Sequence, residues 1–227
     1  MDRFQRLPAV VQGLSLVILV SVVGILPPTI LDEVGFRLTP RVPWVLPATL
    51  LWMWMIWRFL SHQGWWREHL CVRTLSWQDW LLAIAVLTAG TLVIHVSRMA
   101  VLRLLNVSDV SLPALPGIST SVLLSSILVT SLTAGLFEEA AYRGYLRSLL
   151  QERYGVGMSI VLSALVFMFA HLSRGREFFV VLPLAFLFGC LYGAVAWKTG
   201  SIWPGIVVHT TYNLTRLLDK YMHLAPR

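Results

Sequence analysis

The chain has 227 residues, 57% of them hydrophobic and 13% charged, with a mean hydropathy of +0.72. Long apolar runs, not alternating ten-residue segments, fill it, which excludes an ordinary soluble domain or an outer-membrane barrel and predicts an all-α, polytopic transmembrane bundle. The net charge of +7 comes with ten Trp, and the basic residues stand in short loops beside aromatics as interfacial anchors do. With no nucleic-acid-binding signature present, nucleic acid is excluded as a partner and the lipid bilayer is the expected one.

In chain order, Arg3 and Arg6 precede the apolar run Ala9–Leu26, read as a first span ending at Pro27-Pro28; its core is too long, and lacks the small-residue cleavage site, for a signal peptide. A polar loop with Asp32, Glu33, Arg37 and Arg41 is expected next. Val42–Leu60, rich in Trp and Leu, forms the second span, and its Trp52–Trp57 cluster faces lipid or core. Ser61–Asp79 reads as a loop or interfacial segment, Trp80–Val96 as the third span. Ser97–Ser119 holds Pro113, Pro116 and Gly117 and reads as a loop with a short amphipathic helix around Ala100–Leu105.

The fourth span runs from Thr120 to about Gln151, where Tyr154-Gly155-Val156-Gly157 punctuates the pattern. Met158–His171, Phe178–Trp197 and Ile202–Leu218 follow as the fifth to seventh, with turns at Gly175 and Gly200. The expected total is about seven spans, or eight if Ser97–Ser119 re-enters the membrane. By domain, 1–119 are helices without a usable motif, 120–218 the core and 219–227 a tail. Alternating loops divide the 18 basic residues evenly between the two sides, so charge bias leaves orientation open. Cys71 in a loop and Cys190 in an apolar run are not placed to pair.

The polar residues inside these runs carry the functional information. Glu138 and Glu139 interrupt a stretch where each ionised side chain costs roughly 2.5–3.5 kcal/mol near the middle of a lipid-facing helix. Glu139 and Arg143 are i,i+4 with the acid first, the favourable order for an ion pair. Glu138 is about 100° round an α-helix from Glu139 and is left free, beside Gly135, Tyr142 and Tyr145. His171 lies as far beyond Gly155 as Glu138 lies before it, about 24–25 Å of helix each. A hairpin of the fourth and fifth spans therefore brings them to similar depth, with Phe167 walling the same pocket. His209 and Asn213 are again i,i+4. Groups able to move or donate protons converge, and hydrolytic chemistry is the natural inference.

Glu138-Glu139-x-x-x-Arg143, then Phe167-x-x-x-His171, then His209-x-x-x-Asn213, on successive helices, resembles the CPBP family. That family holds the CAAX prenyl endopeptidases and the bacteriocin-processing and immunity-type (Abi) intramembrane proteases. The resemblance covers about Thr120–Leu218. It implies a glutamate-type endopeptidase in which Glu138 activates water, His171 helps bind it, and His209 and Asn213 stabilise the oxyanion. Glu139, Arg143, Phe167 and Tyr142 take supporting parts. It also implies a membrane-associated or lipid-linked protein or peptide substrate, apolar at its cleaved end.

Other readings remain beside this one. A zinc ion on Glu138, His171 and His209 is the alternative to a cofactor-free site, weakened by the lack of a His-Glu-x-x-His helix. An idle scaffold or immunity protein of the same fold, or a proton-coupled transporter using the intramembrane Glu and His residues, are the functional rivals; no inverted repeat supports the transporter. His62, His69, His95 and His223 are given no role. The compact core suggests a prokaryotic plasma (inner) membrane.

Overall fold

The computed structural model describes residues 7–38, 44–62, 64–105, 119–171 and 178–224. Among these residues the structure is all helical apart from one bridge pair, Val72 with Ser201. The expected features at Arg3, Arg6, Arg41, Pro113, Pro116, Gly117 and Gly175 lie outside the described residues.

The first helix does not stop at Pro27-Pro28. Helix α1 (Ala9–Val20) continues through a π-helical segment π1 (Ser21–Ile25) into α2 (Leu26–Leu38), so Asp32, Glu33 and Arg37 stand on helix and not in a loop. The reason lies in the carbonyls. Pro27 has no N–H for the carbonyl four residues back, Val23, and proline rings crowd that turn. The wider π turn opens it, and the indole N–H of Trp52 donates to the Val23 carbonyl at 2.8 Å. A residue from the next helix thus replaces the bond that proline removes.

Helix α3 is Val45–His62, followed by the short α4 (Gly64–Leu70). Helix α5 (Trp77–Leu104) starts at the cap Ser76, which accepts from the Asp79 N–H at 3.2 Å and donates to its carboxylate at 2.7 Å. It absorbs the separate helix expected around Ala100–Leu105, since nothing breaks the pattern between Val96 and Leu104. Ser119 caps α6 (Thr120–Thr133). The π-helix π2 (Ala134–Leu146) and α7 (Arg147–Phe169) follow without a gap, then α8 (Phe178–Thr199) and α9 (Trp203–Leu224). Helix α9 thus runs six residues past the expected end at Leu218.

Four stretches are long and apolar enough to cross a membrane: Ala9–Leu31, Trp77–Leu104, Thr120–Phe169 and Leu182–Thr199. This is an integral membrane protein, but the count of about seven spans is not confirmed. Val45–His62 carries several Trp, which are poorly hydrophobic by hydropathy, and Trp203–Leu224 carries His, Asn, Arg and Asp.

Within α7 the backbone turns at Gly155, with φ 73° and ψ 176°, a conformation only glycine adopts without strain. The two arms fold back on each other: Ser163 donates to the Tyr142 carbonyl at 2.6 Å, and Tyr142 meets Phe167 edge to face at 5.1 Å between centroids. At the far end, the Ile202 N–H donates to the Cys71 carbonyl at 2.8 Å and the Arg73 N–H to Gly200 at 3.3 Å. Helices α5 and α9 therefore start side by side and run parallel.

The segment that carries Glu138, Glu139 and Arg143, π2, is largely buried. Phe137, Ala140, Ala141, Tyr145 and Leu146 are fully buried, packed by Leu16, Val17 and Val20 of α1 and by Tyr192 of α8. Small residues allow this closeness. A Cβ at Gly135 would run into Thr210 and stand 3.1 Å from the Ile206 carbonyl of α9, so these two backbones touch. Gly135→Val should therefore force π2 and α9 apart and lower the thermal midpoint of the detergent-solubilised protein by several degrees. Gly157→Ala, where nothing lies within 4 Å, should leave that midpoint unchanged or slightly raised.

Candidate active site

Four charged or ionisable side chains meet where π2 faces α9. The Glu139 carboxylate is 1% exposed and lies between two partners, an imidazole and a guanidinium. Its Oε1 is 2.9 Å from Nδ1 of His209, and its Oε2 is 3.6 Å from Nε of Arg143. The first is a hydrogen bond; the second is an ion pair beyond hydrogen-bond length. Gly205 makes room for it: a Cβ there would sit 3.0 Å from Glu139 Oε2. On the other side of the His209 ring, Nε2 is 3.9 Å from Oε2 of Glu138, whose side chain is 20% exposed. The two adjacent carboxylates thus hold one imidazole between them, one deeply buried and one reaching an open edge.

Because an ionised carboxylate only accepts, the short bond to Glu139 fixes the proton of His209 on Nδ1.

Arg143 is held in an unusual way. Its side chain is 1% exposed, and none of its three guanidinium nitrogens has a hydrogen-bond partner. Aromatic rings surround it instead. The Phe167 ring centroid is 4.0 Å from the guanidinium carbon, with Tyr142, Phe188 and Tyr192 at 5.8–5.9 Å. A flat, weakly hydrated cation suits such faces, each contact adding about 1–2 kcal/mol when desolvated. Sequence reasoning missed Phe188 and Tyr192; their i,i+4 spacing on an apolar helix was the available signal. They also pack on His209, with centroids at 5.0 and 6.0 Å.

His171 follows the last turn of α7. Its Nδ1 lies 2.8 Å from the Phe167 carbonyl, so Nδ1 donates and Nε2 is left as the acceptor. Its ring stacks at 4.6 Å on Phe167, which ties it to Arg143 through one aromatic residue. Phe167, one turn before His171, packs on Tyr142, one turn after Glu138. Asn213 stands one turn beyond His209 on α9, half-buried. The Tyr142 hydroxyl hydrogen-bonds the Ser21 side chain of π1, so the first helix also reaches this neighbourhood.

Among the described residues no three His, Cys, Asp or Glu side chains are gathered as a metal ion requires. Cys71 and Cys190 are both free thiols; Cys71 instead accepts from the buried Arg147 at 3.0 Å.

The fold and the buried acid–base cluster define a membrane-embedded helical protein with a hydrolase-like centre. Residues 120–215 match the family model of the Type II CAAX prenyl endopeptidase Rce1-like proteins, which bears out the CPBP resemblance for this part of the chain. The match supports a CAAX-type intramembrane protease in general. No curated protein and no solved structure gave a significant match.

Removing one member of the buried cluster should cost more than removing two. Glu139→Ala leaves the Arg143 cation uncompensated and should destabilise by about 3–5 kcal/mol. Glu139→Leu combined with Arg143→Met should recover much of that loss. Thermal unfolding of the solubilised variants, followed by tryptophan fluorescence, checks the order; equal loss in single and double variants contradicts it.

Proposed function

We propose that the protein is a glutamate-type intramembrane endopeptidase that hydrolyses a peptide bond of a membrane-associated or lipid-linked protein or peptide. The observation that carries this reading is the pairing of one open and one buried carboxylate on either side of His209. Glu138, at the open edge, is the general base. It takes a proton from water, whose oxygen attacks the scissile carbonyl, and returns that proton to the leaving amine as the C–N bond breaks. The proton count closes without another reagent.

His171, with Nε2 as acceptor, orients the same water. The oxyanion that forms on the scissile carbonyl is met by Nε2–H of His209 and the side-chain amide of Asn213, each preorganised donor lowering the barrier by a few kcal/mol. Since Nδ1–H of His209 is engaged by Glu139, an Nε2–H donor requires the imidazolium form. Glu139 holds that ring in place, and Arg143 pairs with Glu139. Tyr142 and Phe167 wall the site.

The cluster's burial among helices supports a reaction at membrane depth, with about seven helices as the enclosing bundle and a prokaryotic inner membrane as the setting. A CAAX-like lipidated C-terminus fits such a site, as does any apolar cleaved end. An idle scaffold of the same fold has no use for a carboxylate kept open beside a buried imidazole.

One measurement tests the mechanism. Glu138→Gln should lower the cleavage rate by about 10²–10⁴-fold with little change in thermal stability, read as new protein termini in membranes bearing the wild-type chain but not the variant. Equal termini in both membranes, with the variant folded, remove Glu138 as the base.

A further inference from the structure

Helix α5 reaches the buried cluster through tyrosine hydroxyls. That of Tyr192 on α8 lies 3.0 Å from the Thr91 hydroxyl, with both residues buried. One turn further along α5, Nδ1 of His95 lies 3.3 Å from the Tyr212 hydroxyl of α9. Close packing makes the first contact possible: a Cβ at Gly90, next to Thr91, would stand 2.5 Å from the side chain of Leu191, next to Tyr192. A buried hydroxyl is costly to leave unpaired, so the bond to Thr91 fixes where the Tyr192 ring sits.

The ring so fixed touches the acid–base cluster. It stacks on Phe188, one turn earlier on α8, at 4.0 Å and 17°. Both rings meet the His209 imidazole at a steep angle, Phe188 at 5.0 Å and 67° and Tyr192 at 6.0 Å and 71°. A Cβ at Gly205 would stand 3.3 Å from the Tyr192 ring, so α9 is pressed against it one turn before His209.

These contacts supply what the bond to Glu139 does not. Together with its Cβ, a single hydrogen bond at Nδ1, 2.9 Å long, fixes two points of the imidazole and leaves its plane free to rock about the line joining them. Rings packed on it at a steep angle resist that rocking and set where Nε2 points. Phe188 has no polar group to fasten the pair; the Tyr192 hydroxyl does so from α5.

We infer that Tyr192, tethered by Thr91, is a positioning residue that sets the plane of the His209 imidazole and the aim of its Nε2. Its bearing on catalysis rests on the protease reading above, in which that nitrogen meets the oxyanion. Thr91 lies outside the 120–215 family match, so the geometry of the site is set in part by a helix beyond the matched segment. A donor misplaced by about 1 Å costs up to about 10²-fold in rate. Because the donor acts on the transition state, the loss falls on kcat.

Thr91→Val, which keeps the shape and removes the hydroxyl, tests this in nanodiscs, with Tyr192→Phe as the matching change on the other partner. Thr91→Ser restores the hydroxyl, and Thr88→Val alters an exposed site on the same helix. The first readout is the ring-nitrogen NMR spectrum of isotope-labelled histidine, the His209 signals being identified by their loss in His209→Gln. Thr91→Val and Tyr192→Phe should shift those signals, whereas Thr91→Ser and Thr88→Val should leave them in place. The second readout is cleavage of a farnesylated CAAX peptide: Thr91→Val should lower kcat about tenfold with KM unchanged, and Thr91→Ser should recover it. His209 signals unmoved by Thr91→Val, or a kcat loss that Thr88→Val reproduces, overturn the assignment. Signals that move as stated in a chain that does not cleave the peptide leave the tether standing and count against the protease; cleavage with unmoved signals does the reverse.

Discussion

Everything near the site depends on one buried carboxylate. Glu139 is bonded to His209 at 2.9 Å and paired with Arg143 at 3.6 Å, so it serves an imidazole and a guanidinium at once. Without it, the guanidinium would face a low-dielectric interior that charges several kcal/mol for an unpaired ion. With it, the imidazole of α9 is locked against π2. The Glu138 carboxylate is the one member of the cluster left with access to a reactant. The asymmetry between adjacent residues follows from burial: one side chain is 1% exposed and the other 20%.

The aromatic box extends the same logic. Arg143 makes no hydrogen bond through its guanidinium, yet its charge holds the Phe167 ring, and the Phe167 carbonyl holds His171. A cation on one arm of the hairpin thereby sets two groups on the other. Lysine, a strongly hydrated point charge, has no flat face to lay on that ring.

Local features of this site were legible in the sequence. The Glu139–Arg143 pair is a matter of helical spacing, and the packing of Phe167 on Tyr142 follows from counting residues about Gly155, whose positive φ makes the turn. Other features depend on partners far along the chain. The bond from His209 to Glu139 crosses 70 residues and has no local signature. The continuation of the first helix past Pro27-Pro28 depends on Trp52 supplying a donor to Val23, so the proline rule alone placed the end too early. The π form of residues 134–146 likewise escaped a reading built on 100° per residue. The helical class is plain from apolar runs, but the span count is less so, because Trp-rich and His/Asn-bearing helices blur the hydropathy that defines a span.

The order in which the cluster is made has a consequence for biosynthesis. Glu139 finds Arg143 within its own helix as soon as π2 is in the membrane, so the nascent segment carries a paired charge and a single free carboxylate. His209 emerges from the ribosome 70 residues later, several seconds at ordinary elongation rates of roughly 5–20 residues per second. The cluster is therefore incomplete until α9 has been made. Docking of α9 against π2 is the step that completes it.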